Sequence, residues 1–128
     1  MPVSTQWDNE EKTALRYDLE GEWTWDEFHT IAEDGKTMRR EVTHTVDIIA
    51  NLDNSIRIPP NALSQMKQFT YADRENKGLT IIAGGGGFTI ALVRVYTRVF
   101  KSSQAYVRVF RSLAEARQFI TEKSSIKE

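Results

Sequence analysis

Four consecutive glycines, Gly84, Gly85, Gly86 and Gly87, separate an apolar run at 79–83 from a helix-patterned segment that begins at Phe88. Glycines after a strand let backbone amides approach a phosphate, and the start of a helix favours an anion. Arg94 and Arg98, further along the same segment, would supply positive charge. A small anionic ligand, such as a nucleotide or a lipid headgroup, is one molecule this unit could take. The run is neither a Walker loop nor a dinucleotide fingerprint. No lysine follows it, and the last glycine of G-x-G-x-x-G would fall on Thr89 or another non-glycine residue. A tight turn with close backbone packing accounts for the same residues.

The segment at 88–101 is apolar on more than one side. Phe88, Leu92, Val95, Tyr96, Val99 and Phe100 can fill one broad face, and Ile90 and Val93 extend the apolar surface beyond a normal stripe. Arg94, Arg98 and Lys101 make a basic line at i, i+4 and i+7. Such a helix is either sandwiched inside the domain or docks a partner. The expected partner-binding residues are Ile90, Val93, Arg94, Thr97, Arg98 and Lys101. Ser55, Arg57 and Asn61 join them from the 53–61 loop, because loops at the carboxyl ends of parallel strands form the usual binding edge.

Other chemistry is thinly represented. His29 and His44 are the only histidines, and no recognised ligand spacing joins them to Glu41 or Asp47, so no metal is expected. There is no G-x-S-x-G elbow, and Ser64 lies within the helical pattern N-A-L-S-Q-M. Without cysteine the chain has no disulfide, thiolate metal site or cysteine nucleophile. No cofactor is implied, and the reading is non-enzymatic. Trp23 and Trp25 flank a strand-to-helix turn, where one is expected to enter the core while the other lies over the turn.

The elements that must position these residues alternate. At 13–20, Leu15, Tyr17 and Leu19 alternate with Arg16, Asp18 and Glu20, which makes a strand with one wet face; residues 3–7 read as a short strand before it. Thr24 and Glu27 have the spacing of a capping box, and Trp25, Phe28, Ile31 and Ala32 continue a helical stripe to about Glu41. Gly35 is a weak point in that helix, worth about 1 kcal/mol against alanine. A buried strand at 46–52 and a short helix at 61–69 follow, then a buried strand at 79–83 and the helix at 88–101. A strand at 106–110 and a last helix, with a second capping box at Ser112 and Glu115, complete the order. Strand–helix alternation predicts an α/β fold with a mainly parallel sheet of four or five strands and about four helices. It forms a single domain over 1–123 with a frayed polar tail at 124–128.

Composition bounds the function. The 128 residues carry 17 basic and 18 acidic side chains, which argues against a general nucleic-acid binder. The charge is divided: residues 1–64 hold six basic against thirteen acidic residues, a net of −7, while residues 65–128 hold eleven against five, a net of +6. Halves of opposite sign attract within a fold or between copies, and neutralisation within one domain is the simpler expectation. The start of the chain lacks the regions of a signal peptide, and the most apolar stretch, 79–100, contains four glycines and two arginines. A cytoplasmic protein with no transmembrane segment is expected.

Three segments then form a familiar set: W-D-N-E-E-K-T-A-L-R-Y-D-L-E-G-E-W-T-W-D-E-F, the strand V-D-I-I-A-N-L-D followed by P-P-N-A-L, and G-G-G-F-T-I-A-L-V-R-V-Y. Over roughly residues 6–121 the chain resembles small bacterial SpoIIAA-like domains of STAS/SEC14 type. The resemblance implies a STAS-like fold and a regulatory or scaffolding module that binds a protein partner, with a homodimer possible, and sometimes nucleotides. In the antagonist branch a serine at the start of the helix after the second buried strand is phosphorylated. The matching stretch, Ile58-Pro59-Pro60-Asn61-Ala62, holds no hydroxyl; Ser55 lies upstream and Ser64 a turn downstream. The SEC14 side of the resemblance implies a lipid, although this chain is much shorter than a full lipid-transfer domain.

Overall fold

A computed structural model describes residues 3–126. The chain runs β1 (Val3–Trp7), β2 (Ala14–Leu19), α1 (Trp25–Arg39), β3 (Val46–Leu52), α2 (Ala62–Tyr71), β4 (Lys77–Gly84), α3 (Gly86–Val99), β5 (Val107–Phe110) and α4 (Leu113–Ile126). The five strands form one sheet in the order β1-β2-β3-β4-β5. The first pair is an antiparallel hairpin and the other three pairs are parallel. The α/β class, the mainly parallel sheet and the four helices agree with the expectation from alternation.

Period two decides which face each strand presents. Leu15, Tyr17 and Leu19 of β2 join Ile48, Leu52 and Ile82 in the main core, packed against α1, α2 and α3. Ile49, Ile81 and Ala83 point the other way, to Ala116 and Ile120 of α4. Three successive crossovers step across the sheet in one direction and lay their helices on one face; α4 follows the last strand and returns to cover the other.

The capping box at Thr24 is complete: the Glu27 amide donates to Thr24 Oγ1 at 3.2 Å and the Thr24 amide donates to Glu27 Oε1 at 2.9 Å. The second box is half made, because the Glu115 carboxylate accepts from the Arg111 amide instead of that of Ser112. Several boundaries shift, β4 beginning at Lys77 and α2 running on to Tyr71 among them. Helix α1 ends at Arg39, and α3 begins two residues early, at Gly86. Lys101 leaves that helix for a 3-10 turn over Lys101–Ala105. Helix α4 continues through 124–126, and positions 127–128 of the expected tail lie outside the described residues.

Opposite charges of the two halves meet inside this one unit. Arg117 on α4 reaches Asp8 in the hairpin turn at 2.6 Å, and Lys123 reaches Asp47 on β3 at the same distance. Asp47 also accepts from the Leu79 amide at 2.8 Å, fixing the start of β4.

At the amino edge of the sheet, two cations close the end of α2 and a third braces the loop after it. Lys77 donates to the Phe69 and Ala72 carbonyls at the end of α2, Arg74 donates to the Thr70 carbonyl, and Arg39 to the carbonyls of Asp73 and Glu75. Helix carboxyl ends favour cations. Burial, aided by the positive charges of Arg39 and Arg74, nevertheless lowers the Lys77 pKa from its ordinary 10.5 to about 7. Between those values the unfolded chain holds a proton that the folded chain does not, so stability rises with pH across that window. Urea midpoints measured from pH 7 to pH 9.5 are expected to climb, and in K77M the climb is expected to flatten.

Candidate functional site

The carboxyl edge of the sheet carries the residues singled out in the sequence. Gly21, just past β2, forms a parallel bridge with Ser55 in the loop after β3. Two indoles fasten that loop. Trp23 Nε1 donates to Ser55 Oγ at 2.9 Å, and Trp25 Nε1 donates to the Pro60 carbonyl at 2.7 Å. Ser55 Oγ in turn donates to the Arg57 carbonyl at 3.1 Å. The rings meet edge to face, 4.9 Å between centroids; Trp23 is buried and Trp25 half-buried, the division the sequence suggested. Ser55 is therefore a half-buried strut of this loop, while Arg57 and Asn61 stand exposed. Asn61 precedes α2 in a left-handed conformation and its side chain makes no capping bond.

Under the two tryptophans, between the sheet and α1, α2 and α3, lies a cavity of about 70 Å³. Phe28, Phe69, Ile48 and Ile82 form much of its wall, and Ile58 and Leu92 stand toward its outer side. Tyr17 sits on this wall, edge-on to Phe28 and Phe69 at 6.0 Å from each. Burial drives the Tyr17 phenol pKa upward, so it is neutral across the physiological range. No acidic or basic residue lines the cavity.

The glycine run is explained largely by packing. A Cβ on Gly84 would lie 2.6 Å from the Asp53 amide nitrogen, and one on Gly85 would strike the Thr89 hydroxyl. The Asp53 carboxylate sits against this turn and accepts from the Leu113 amide at the start of α4, at 3.3 Å. A carboxylate so close opposes an anion at Gly84 and Gly85. Gly86 and Gly87 are exposed, and Gly87 borders a groove with Ile90, Arg94, Phe110, Arg111 and Glu115. Arg98 lies outside that groove.

Helix α3 is rotated differently from the sequence expectation. Thr89, Val93 and Tyr96 face the sheet. Val93 is 3% exposed and belongs to the main core, so it has no surface for a partner. Ile90 is half-buried, as is Thr97, whose hydroxyl donates to the Arg94 carbonyl. Arg94 and Arg98 are exposed on α3, and Lys101 is exposed beyond its end in the 3-10 turn, so the helical basic line keeps two of its three members. The apolar residues left in water are instead Phe88, Val95 and Val99, 67%, 46% and 62% exposed. A helix that is apolar nearly all round gives no periodic signal of which arc is covered, so Val93 lies in the core while Phe88, Val95 and Val99 of the expected broad face stand in water.

Among the described residues no three histidine or carboxylate side chains gather as a metal site would require. His44 pairs with the Lys12 carbonyl at 2.8 Å, and His29 stands on α1 beside Phe28. No helix among the described residues is long and apolar enough to cross a membrane. Comparison of the chain with protein-family models, with curated proteins and with solved structures returns no match.

Proposed function

We propose that the chain is a STAS-like, non-catalytic binding module that acts by protein–protein contact and pairs with a second copy of itself through α3. The observation that carries this reading is the exposure of Phe88, Val95 and Val99 along one side of a single helix. Leu92, half-buried, completes the stripe. Apolar side chains of this size in one line are covered in a working protein more often than they are left wet.

The stripe is also self-complementary. In an antiparallel pair about a two-fold axis, Phe88 of one copy would lie opposite Val99 of the other, and Leu92 opposite Val95, the isologous arrangement of symmetric dimers. Arg94 and Arg98 of both copies would fall on the same side of that pair. Salt that screens their repulsion would therefore favour association. An acidic partner on the same surface would show the opposite salt dependence.

The test is sedimentation velocity over a hundredfold range of concentration, at low and high salt. The wild type is expected to move toward twice the monomer mass with rising concentration, more readily at high salt. The V95D/V99D variant is expected to remain a monomer with unchanged circular dichroism. A wild type that stays monomeric throughout defeats the proposal of self-pairing.

A further inference from the structure

Strand β5 ends the sheet beyond β4, and among the described residues no other strand covers its outer side. The Thr80 amide donates to the Tyr106 carbonyl at 2.7 Å, and successive residues of a strand turn their backbone groups to opposite edges. Arg108 and Phe110 therefore pair with β4, while Val107 and Val109 turn their amides and carbonyls outward. The chain shields part of this edge itself. Arg108 Nη1 donates to the Val107 carbonyl at 3.0 Å and to the Gln104 carbonyl at 2.8 Å. A charged side chain folded over a short edge strand guards against indiscriminate pairing. The guard stops there: the Val109 amide and carbonyl have no partner among the described residues.

Beside Val109 runs the groove between α3 and β5, about 440 Å³ against about 70 Å³ for the cavity under the tryptophans. Ile90, Ala91 and Val109 give it an apolar lining, and Arg94 and Arg111 stand exposed along it. None of the ion pairs among the described residues uses Arg94, Arg98 or Arg111. The one acid of the groove, Glu115, has a carboxylate oxygen engaged by the Arg111 amide at 3.0 Å. This edge is therefore basic. A second copy adding its own β5 would set Arg94 and Arg111 against the same residues of its partner, and like charges placed opposite each other disfavour pairing. Acidic side chains fit instead. Side chains of an added strand alternate between the two faces. The residue opposite Val109 would face Ile90 and Ala91, and those two positions to either side would reach the arginines.

We propose that the Val109 edge of β5 and its groove receive an extended acidic segment of a partner protein as a sixth strand. The segment is apolar opposite Val109 and carries Asp or Glu two positions to either side. In an antiparallel pair its central residue exchanges both backbone hydrogen bonds with Val109. The surface uses a different arc of α3 from the exposed stripe and does not depend on self-pairing.

The experiment is an amide NMR titration with the peptide Ac-TETVTET-NH2, on the wild type and on V95D/V99D. Saturable shifts are expected at Val109, Ile90, Ala91 and Arg94 in both proteins, with the Val109 amide slowed in its exchange with solvent. The same peptide N-methylated at its valine cannot donate to the Val109 carbonyl, and is expected to bind roughly tenfold more weakly. R94E/R111E alters two exposed side chains, so its circular dichroism is expected to match the wild type. It is expected to lose the acidic peptide and to take Ac-TKTVTKT-NH2 in its place. Three outcomes overturn the proposal. The first is no saturable shift at Val109. The second is equal affinity for the N-methylated peptide, which would leave attraction between charges without strand pairing. The third is a Val109 shift that follows protein concentration in place of peptide, which would make a second copy the occupant. Pairing through α3 is read separately, from sedimentation, and stands or falls on its own.

Discussion

Replacing Gly35 by alanine is expected to destabilise the protein by about 2–3 kcal/mol, the range of an overpacked core. Helix propensity alone predicts the reverse, a gain of about 1 kcal/mol. The difference lies across the interface. Gly35 is buried on the inner side of α1, and an added Cβ would stand 2.8 Å from the Tyr17 ring carbons Cε1 and Cζ and closer still to its hydroxyl. Tyr17 can yield only toward the cavity, and doing so would break its edge-on contacts with Phe28 and Phe69. Thermal unfolding should show G35A melting ~8–12 °C below the wild type for a domain of this size. Y17F removes a hydroxyl that has no partner, and is expected to be neutral or slightly stabilising alone. Combined with G35A it should recover part of the loss, a coupling of about 1 kcal/mol in a double-mutant cycle. Additivity of the two changes would refute the contact as the cause.

Asp8→Asn is expected to cost about 2 kcal/mol at pH 7, somewhat below the range for breaking a fully buried pair because Arg117 is half exposed. The Asp8 side chain is only 6% exposed and receives Arg16 at 2.7 Å and Arg117 at 2.6 Å. Burial pushes its carboxyl pKa up, but the hydrogen bonds and charges of the two arginines outweigh burial and hold it below the usual 3.8. The folded state therefore favours the ionised form. Its contribution is fully present above pH 3.8 and is lost as the pH falls through the lower folded value. Urea midpoints for wild type and D8N should differ most near pH 7 and converge below pH 3. A constant difference at all pH values would show that packing, and not charge, sets the cost.

Much of the architecture was legible because local signals agreed with one another. Alternation at Leu15, Tyr17 and Leu19, the reciprocal cap of Thr24 and Glu27, and a glycine turn between strand and helix each marked an element the fold contains. The division of the two tryptophans followed from their place at a turn. What periodicity did not carry was the rotation of α3, since residues of similar hydropathy surround the helix and only the positions of α2 and the sheet decide which arc is covered. Val93 and Val95 are two residues apart and identical in chemistry, yet one lies in the core and the other in water. The cavity was equally silent. Its lining is drawn from residues of separate elements, such as Tyr17, Phe28, Ile48, Phe69 and Ile82, that no local pattern links.

The arrangement of the sheet also governs how the chain assembles. Strands lie side by side in the order of synthesis, yet only the β1–β2 hairpin closes a short stretch; each parallel pair must wait for a whole intervening helix, a topology associated with slower folding. The longest closure is made by the terminal helix, whose Arg117 must find Asp8 at the far end of the polypeptide. That clasp ties the first hairpin to the last helix, so the two ends of the chain are held to one sheet.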